Sequence, residues 1–141
     1  IAPIICYESI YGDYVRQFVK QGAGAIFIIT NDGWWDDSPG YKQHLAYAKL
    51  RAIEGRRGIV RSANTGISAI INHKGEIVDQ TKWWEEAALK GTVQLNDELT
   101  FYVKYGNYIG RIAAFIAPLL LLLTLVRKLN KTEQRLSAKK A

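Results

Sequence analysis

The chain has 141 residues, 19 of them Lys or Arg and 13 Asp or Glu, for a formal net charge of +6. That length is enough for roughly one domain with one core, and its single cysteine excludes an internal disulfide and a cysteine-based metal cluster. The charge is concentrated: residues 1–111 carry 13 basic against 12 acidic side chains and residues 112–141 carry 6 against 1, a pattern of a tail beside anionic lipid rather than of a nucleic-acid-binding face.

The chain lacks Met and opens on Ile1-Ala2-Pro3-Ile4-Ile5, apolar from the first residue. Upstream sequence is therefore expected; the alternative is a processed mature chain. Ile1 to Cys6 reads as a short buried strand, being continuously apolar with β-branched residues. Ile10 to Lys20 reads as a helix, with Tyr11, Val15, Phe18 and Val19 at steps of three and four on one face. Ala25 to Thr30 is a second strand. Its unbroken apolar character predicts burial on both faces of a mostly parallel sheet. Asn31 to Asp37 is a loop with two tryptophans, and Ser38-Pro39 starts a helix that runs to about Glu54, Tyr41, Leu45, Ala48 and Ala52 facing inward. Gly58 to Ser62 is a third strand. Ile67 to Asn72 and Glu76 to Gln80 form a hairpin around Lys74-Gly75, and Gly91 to Leu95 reads as a last strand. The order predicts an α/β layered domain with an antiparallel edge.

The run Ile112 to Val126 is 15 residues without a charge, and 19 if counted from Tyr108 across Arg111. A bilayer requires roughly 20. Arg111 can reach the headgroup zone by extending its stem. Tyr102, Tyr105 and Tyr108 form an aromatic flank, and Pro118 is tolerable within lipid. The domain reading is thus 1–100 for an α/β domain, 101–127 for a transmembrane helix with its flank, and 128–141 for a basic tail. Arg127, Lys128 and Lys131 predict that the tail is cytoplasmic and that the α/β domain lies on the outer side. A buried helix of a soluble core is the alternative, against which the all-apolar Leu119–Leu123 block argues.

Cys6 stands at the carboxyl end of the first strand, before a turn. A nucleophilic cysteine needs thiolate character, access and donors for the oxyanion formed on attack. A strand end offers the last two; core filling is the competing use of a lone cysteine. His44 and His73 lack metal-ligand spacing, so neither a metal site nor a cofactor is predicted. Asn31 and Asp32 stand where α/β sheets place ligands, or form a local turn cap. Trp34 and Trp35 can meet lipid, cover a pocket or cap a core. Arg51 and Glu54 can pair with each other or with Arg61. Lys42, Lys49 and Lys82 read as solvated.

Taken in order, Cys6-Tyr7-Glu8, Asn31-Asp32-Gly33-Trp34-Trp35, Gln43-His44, Arg51-Ala52-Ile53-Glu54 and Arg61-Ser62-Ala63-Asn64-Thr65-Gly66 resemble the nitrilase superfamily. Within it they are most similar to the apolipoprotein N-acyltransferases, integral membrane enzymes of bacteria. The resemblance covers about residues 1–80, and the apolar run fits that family's final helix. It implies part of a nitrilase-like αββα sandwich followed by a C-terminal transmembrane helix in the inner membrane, and a Glu-Lys-Cys triad. Cys6 matches the nucleophile; the Glu and Lys precede the nucleophile in the family, so they are expected before Ile1, leaving this stretch inactive by itself. Tyr7 then offers its amide to the oxyanion, and Glu8 matches a supporting carboxylate with an orienting role, a structural ion pair being its alternative. Asn31, Asp32, Trp34, Trp35 and Asn64 are the implied substrate-binding positions. The implied partners are a phospholipid acyl donor and a diacylglyceryl apolipoprotein acceptor, joined through a Cys6 thioester at the membrane, with no nucleic acid. Two readings compete: an amidase or nitrilase of the same superfamily, and a catalytically dead membrane-tethered interaction domain.

Overall fold

The computed structural model describes residues 1–138 and divides into two units, residues 1–106 and the chain from Asn107 onward. In the first unit, strand β1 (Ala2–Ile5) leads into a 3-10 turn, Cys6–Ile10, and then helix α1 (Gly12–Lys20). Strand β2 (Ala25–Asn31), a 3-10 turn over Asp32–Trp35 and helix α2 (Gly40–Gly55) follow. Strands β3 (Gly58–Asn64), β4 (Ala69–Ile71) and β5 (Ile77–Gln80) complete one sheet, in which neighbours in space are neighbours in sequence. β1, β2 and β3 are parallel; β4 and β5 join antiparallel. The expected mostly parallel sheet with an antiparallel edge is what forms.

The two-residue period of a strand decides which side chains reach the core. Ile4, Ile26, Ile28, Ile59 and Ile71 point to one face and are buried with Val15 and Val19 of α1 and Leu45, Ala48 and Ala52 of α2. The alternate positions Ile5, Phe27 and Ile29 are 53%, 36% and 58% exposed. Burial on both faces, expected from the apolar run of β2, is therefore not found within this chain. The reason is topological. Two successive right-handed crossovers that advance in one direction, β1-α1-β2 and β2-α2-β3, put both helices on the same face. The result is one α/β layer pair, half of an αββα sandwich.

Local departures also have causes. The segment after Cys6 closes as a 3-10 turn, so α1 starts at Gly12 and Tyr11 stays outside, 59% exposed. The hairpin forms as expected: Gly75 takes φ 80°, and Asn72 Oδ1 accepts from the amides of Lys74 and Glu76. Residues 91–95 do not form a strand. They pass over Gly58, where an added Cβ would meet Val93 at 2.8 Å, and they do not join the five-stranded sheet. The segment is instead fastened by main-chain oxygens. Asn96 donates its amide to Gly24 O at 3.1 Å, and the buried Arg57 donates to Ala23 O and Glu98 O at 2.7 and 2.8 Å.

A short helix, α3 (Phe101–Tyr105), belongs to this unit. Thr100 starts it, accepting from the Val103 amide at 3.1 Å and donating to Glu54 O at 2.6 Å. Val103 is fully buried, and Tyr102 lines a small space with Gly12, Arg51 and Glu54. Tyr102 thus packs on the α/β unit.

The second unit is helix α4 (Tyr108–Ala138), with Pro118 inside it. Its stretch Tyr108–Lys131, within which an 18-residue window has a mean hydropathy of 2.3, is 24 residues long. At about 1.5 Å per residue this is roughly 36 Å, against a hydrocarbon core of about 30 Å, so the helix is long and apolar enough to cross a membrane. Helical structure continues past Val126 through the basic residues Arg127, Lys128 and Lys131; the last three positions of the expected tail, 139–141, lie outside the described residues.

Candidate active site

The three parallel strands end at one edge of the sheet. Ile5 pairs with Ile29 and Asn31 with Asn64, so Cys6, the Asn31-Asp32 step and Asn64 lie at successive strand ends, where open α/β sheets place ligands. Cys6 is half-exposed and adopts φ 49°, the left-handed region that favours glycine. Such a backbone costs about 1–3 kcal/mol and persists only where the surroundings enforce it.

The enforcement is visible on both sides of the turn. Glu8 reaches back: its Oε2 accepts the Ile5 amide at 2.7 Å, and its Oε1 accepts the Tyr14 hydroxyl at 3.3 Å. Partial desolvation, then the charge and hydrogen bond of Glu8, push the Tyr14 phenol above its ordinary value, which keeps it a donor. These contacts tie Glu8 to the main chain just before Cys6 and to α1; no cation pairs with it among the described ion pairs.

Beneath the turn lies a buried polar chain. Ser9 Oγ donates to the Cys6 carbonyl at 2.9 Å. His44 Nε2 stands 2.9 Å from Ser9 Oγ and 3.2 Å from the same carbonyl oxygen. His44 Nδ1 lies 3.0 Å from Asp32 Oδ1, which Thr30 Oγ1 also reaches at 3.1 Å. Arg61 Nη2 donates to Asp32 Oδ2 at 2.6 Å, while its Nη1 donates to the Ile67 carbonyl. Burial alone would raise the Asp32 pKa; the hydrogen bonds and charges of His44 and Arg61 outweigh it and hold the carboxyl below its ordinary value. Gly66 closes the chain from the far side, where an added Cβ would lie 2.5 Å from Asp32 Oδ2.

The expected substrate-binding residues therefore separate. Asp32 is fully buried with both oxygens engaged, so it supports the floor of the turn and presents nothing to a ligand. Asn31 is exposed; its Oδ1 accepts the Gly33 amide at 3.1 Å and lies 3.5 Å from Thr65 Oγ1, so it caps its own turn and bridges to the end of β3. Asn64 and Thr65 line a groove of about 310 Å³ with Trp84, Glu85 and Glu86. Trp34 is 84% exposed. Trp35 stacks on Tyr7, ring centroids 6.2 Å apart, and lies 6.4 Å from the His44 ring. Tyr7, half out in solvent, thus joins the aromatic rim rather than the core.

Ser9, His44 and Arg61 were missed as site residues. His44 sits one step from Leu45 on the buried stripe of α2, and Arg61 is the lone cation inside β3; both were available signals. Arg61 does not join Arg51 and Glu54, which pair with each other at 2.8–2.9 Å while Arg51 also donates to Ile10 O.

A family profile described as carbon-nitrogen hydrolase matches residues 1–99. The chain is 40% identical over 128 residues to the apolipoprotein N-acyltransferase of Chlorobaculum tepidum, covering 91% of this chain and 24% of the relative. It is 38% identical to that of Geobacter metallireducens (76% of this chain, 20% of the relative). The counterpart from Pseudomonas paraeruginosa is 35% identical, over 96% of this chain and 26% of the relative. The chain thus spans about a quarter of the length of the curated relatives it matches. In fold it is similar to a carbon-nitrogen hydrolase from Helicobacter pylori, with a TM-score of 0.54 at 13% identity over 60% of this chain and 36% of the other. It is also similar to Saccharomyces cerevisiae Nit3, of the nitrilase superfamily, with a TM-score of 0.50 at 19% identity over 60% of this chain and 34% of the other. With the profile covering more than half of the chain, the chain belongs to the carbon-nitrogen hydrolase family.

Proposed function

We propose that this chain is the nucleophile-bearing part of an N-acyltransferase that carries a phospholipid acyl group on Cys6 and delivers it to the α-amine of a diacylglyceryl apolipoprotein. The observation that carries the proposal is the joining of a strained, half-exposed Cys6 at the end of β1 to a helix long and apolar enough to cross a bilayer. A reacting centre tied to a membrane suits a reaction whose two substrates are both lipids; the similarity to relatives named apolipoprotein N-acyltransferase supplies the reaction.

In the first half-reaction the Cys6 thiolate attacks the ester carbonyl of the phospholipid. The carbonyl electron pair moves onto oxygen, facing the Tyr7 amide. Collapse breaks the ester C–O bond; the lysophospholipid oxygen leaves with a proton, and a thioester remains on Sγ. In the second half, the acceptor amine attacks the thioester carbonyl, loses a proton and expels the thiolate, leaving an amide. The base and the lysine of the family triad are assigned to no residue of this chain. Tyr7, Trp34 and Trp35 form the aromatic rim that meets lipid, and Asn31 and Asn64 border the entrance. By the excess of basic residues that follow the apolar run of α4, the tail faces the cytoplasm and the α/β unit the outer side of the inner membrane.

The test is covalent trapping. The full-length protein in detergent, incubated with a phospholipid bearing a labelled acyl chain, should take up label on Cys6 that neutral hydroxylamine releases. Cys6→Ala should take up none. Label absent from the native protein, or retained in Cys6→Ala, overturns the proposal.

A further inference from the structure

We propose that His44, held by Asp32 and Arg61, is a positioning residue that aims the peptide between Cys6 and Tyr7. The proposal rests on Cys6 being the nucleophile. A trans peptide is planar, and its C=O and N–H point in opposite directions. Whatever grips the Cys6 carbonyl from below therefore sets the direction of the Tyr7 amide above. Two side chains grip it: Ser9 Oγ at 2.9 Å and His44 Nε2 at 3.2 Å, themselves 2.9 Å apart. The imidazole has no freedom to follow the turn. Asp32 holds its other nitrogen at 3.0 Å, Arg61 holds Asp32 at 2.6 Å, and Asp32, Arg61 and the ring are all buried. The strained φ of Cys6 is the local cost of keeping the peptide in that orientation. The buried chain thus acts on the oxyanion donor, not on the sulfur itself.

That distinction gives the test, made in the full-length protein in detergent. Acylation by a phospholipid with a fluorescent acyl chain forms an oxyanion; alkylation of Cys6 by iodoacetamide does not. Loss of a well-aimed oxyanion donor costs about 100-fold or more in rate. His44→Ala and His44→Asn should lower kcat for acylation by about that factor with KM within about twofold, while alkylation stays within about threefold of native. His44→Gln, whose amide can occupy the Nε2 position, should recover at least about tenfold of the loss; Asn, which matches only Nδ1, should not. Ser9→Ala, which retains the ring, should lose about tenfold in kcat and serves if His44→Ala does not fold. Equal losses in acylation and alkylation, an unchanged kcat, or His44→Gln no better than His44→Asn would overturn the proposal. Failure of the nucleophile assignment looks different: Cys6→Ala would then retain acylation.

Discussion

Asp32 and Arg61 are 29 positions apart in the chain, yet their carboxylate and guanidinium meet at 2.6 Å with both side chains sealed from solvent. Taking one partner from such a pair leaves an uncompensated buried charge. Arg61→Met should destabilise the α/β unit by about 3–5 kcal/mol, and Asp32→Leu combined with Arg61→Met by less than the sum of the two single changes. Thermal unfolding of the full-length protein in detergent measures both; additive losses would show that the pair is not a coupled unit.

Acid should weaken the same region. The Asp32 carboxyl is held below its ordinary value in the folded state, so its ionised form binds the fold. Its contribution is complete above the unfolded carboxylate pKa of about 3.9 and disappears as pH falls through the lower native value. A plot of melting temperature against pH should therefore turn down below about pH 4. In Asp32→Asn that part of the downturn should be missing; an unchanged curve would mean another carboxylate is responsible.

Gly66 is needed for close approach. An alanine methyl would sit 2.5 Å from Asp32 Oδ2 and 2.7 Å from its Cβ, in a place with no flexible neighbour to give way. Gly66→Ala should cost about 1–3 kcal/mol and lower transfer activity through displacement of Asp32. Native stability and activity in this variant would show that the loop 64–66 moves freely.

Helix α4 makes a prediction about topology. A reporter fused after Ala141 should register in the cytoplasm. Leu121→Arg places a charge mid-helix, where insertion costs about 2.5–3.5 kcal/mol, and should reduce that cytoplasmic signal. Labelling of the native tail from outside would reverse the orientation.

Local features of this protein were legible because their causes are local. The apolar runs at residues 1–6 and 25–30 became β1 and β2, the Lys74-Gly75 turn became a hairpin, and Cys6 came to a strand end because the apolar run stops there. What was not legible depends on pairing across the fold. His44 looked isolated because its partners, Asp32 and the Cys6 carbonyl, are 12 and 38 positions away. Residues 91–95 have strand composition, but composition cannot tell that they pack over Gly58 without joining the sheet. α3 is five residues long, too short for a period to show. Asp32 does stand at a strand end, as its position in the sequence implied, but its carboxylate turns under the sheet edge to hold His44 and Arg61 instead of facing a ligand.

The uncovered side of the sheet ties assembly to chemistry. Ile5 and Ile29 lie in register on that greasy wall, and the next residue after Ile5 is the sulfur-bearing one. A layer that shields Ile5 lies one residue from the Cys6 thiol. On the proposed function, leaving this wall bare exposes a sticky flank and leaves the thiol beside it without an enclosure, so shielding the one and enclosing the other go together.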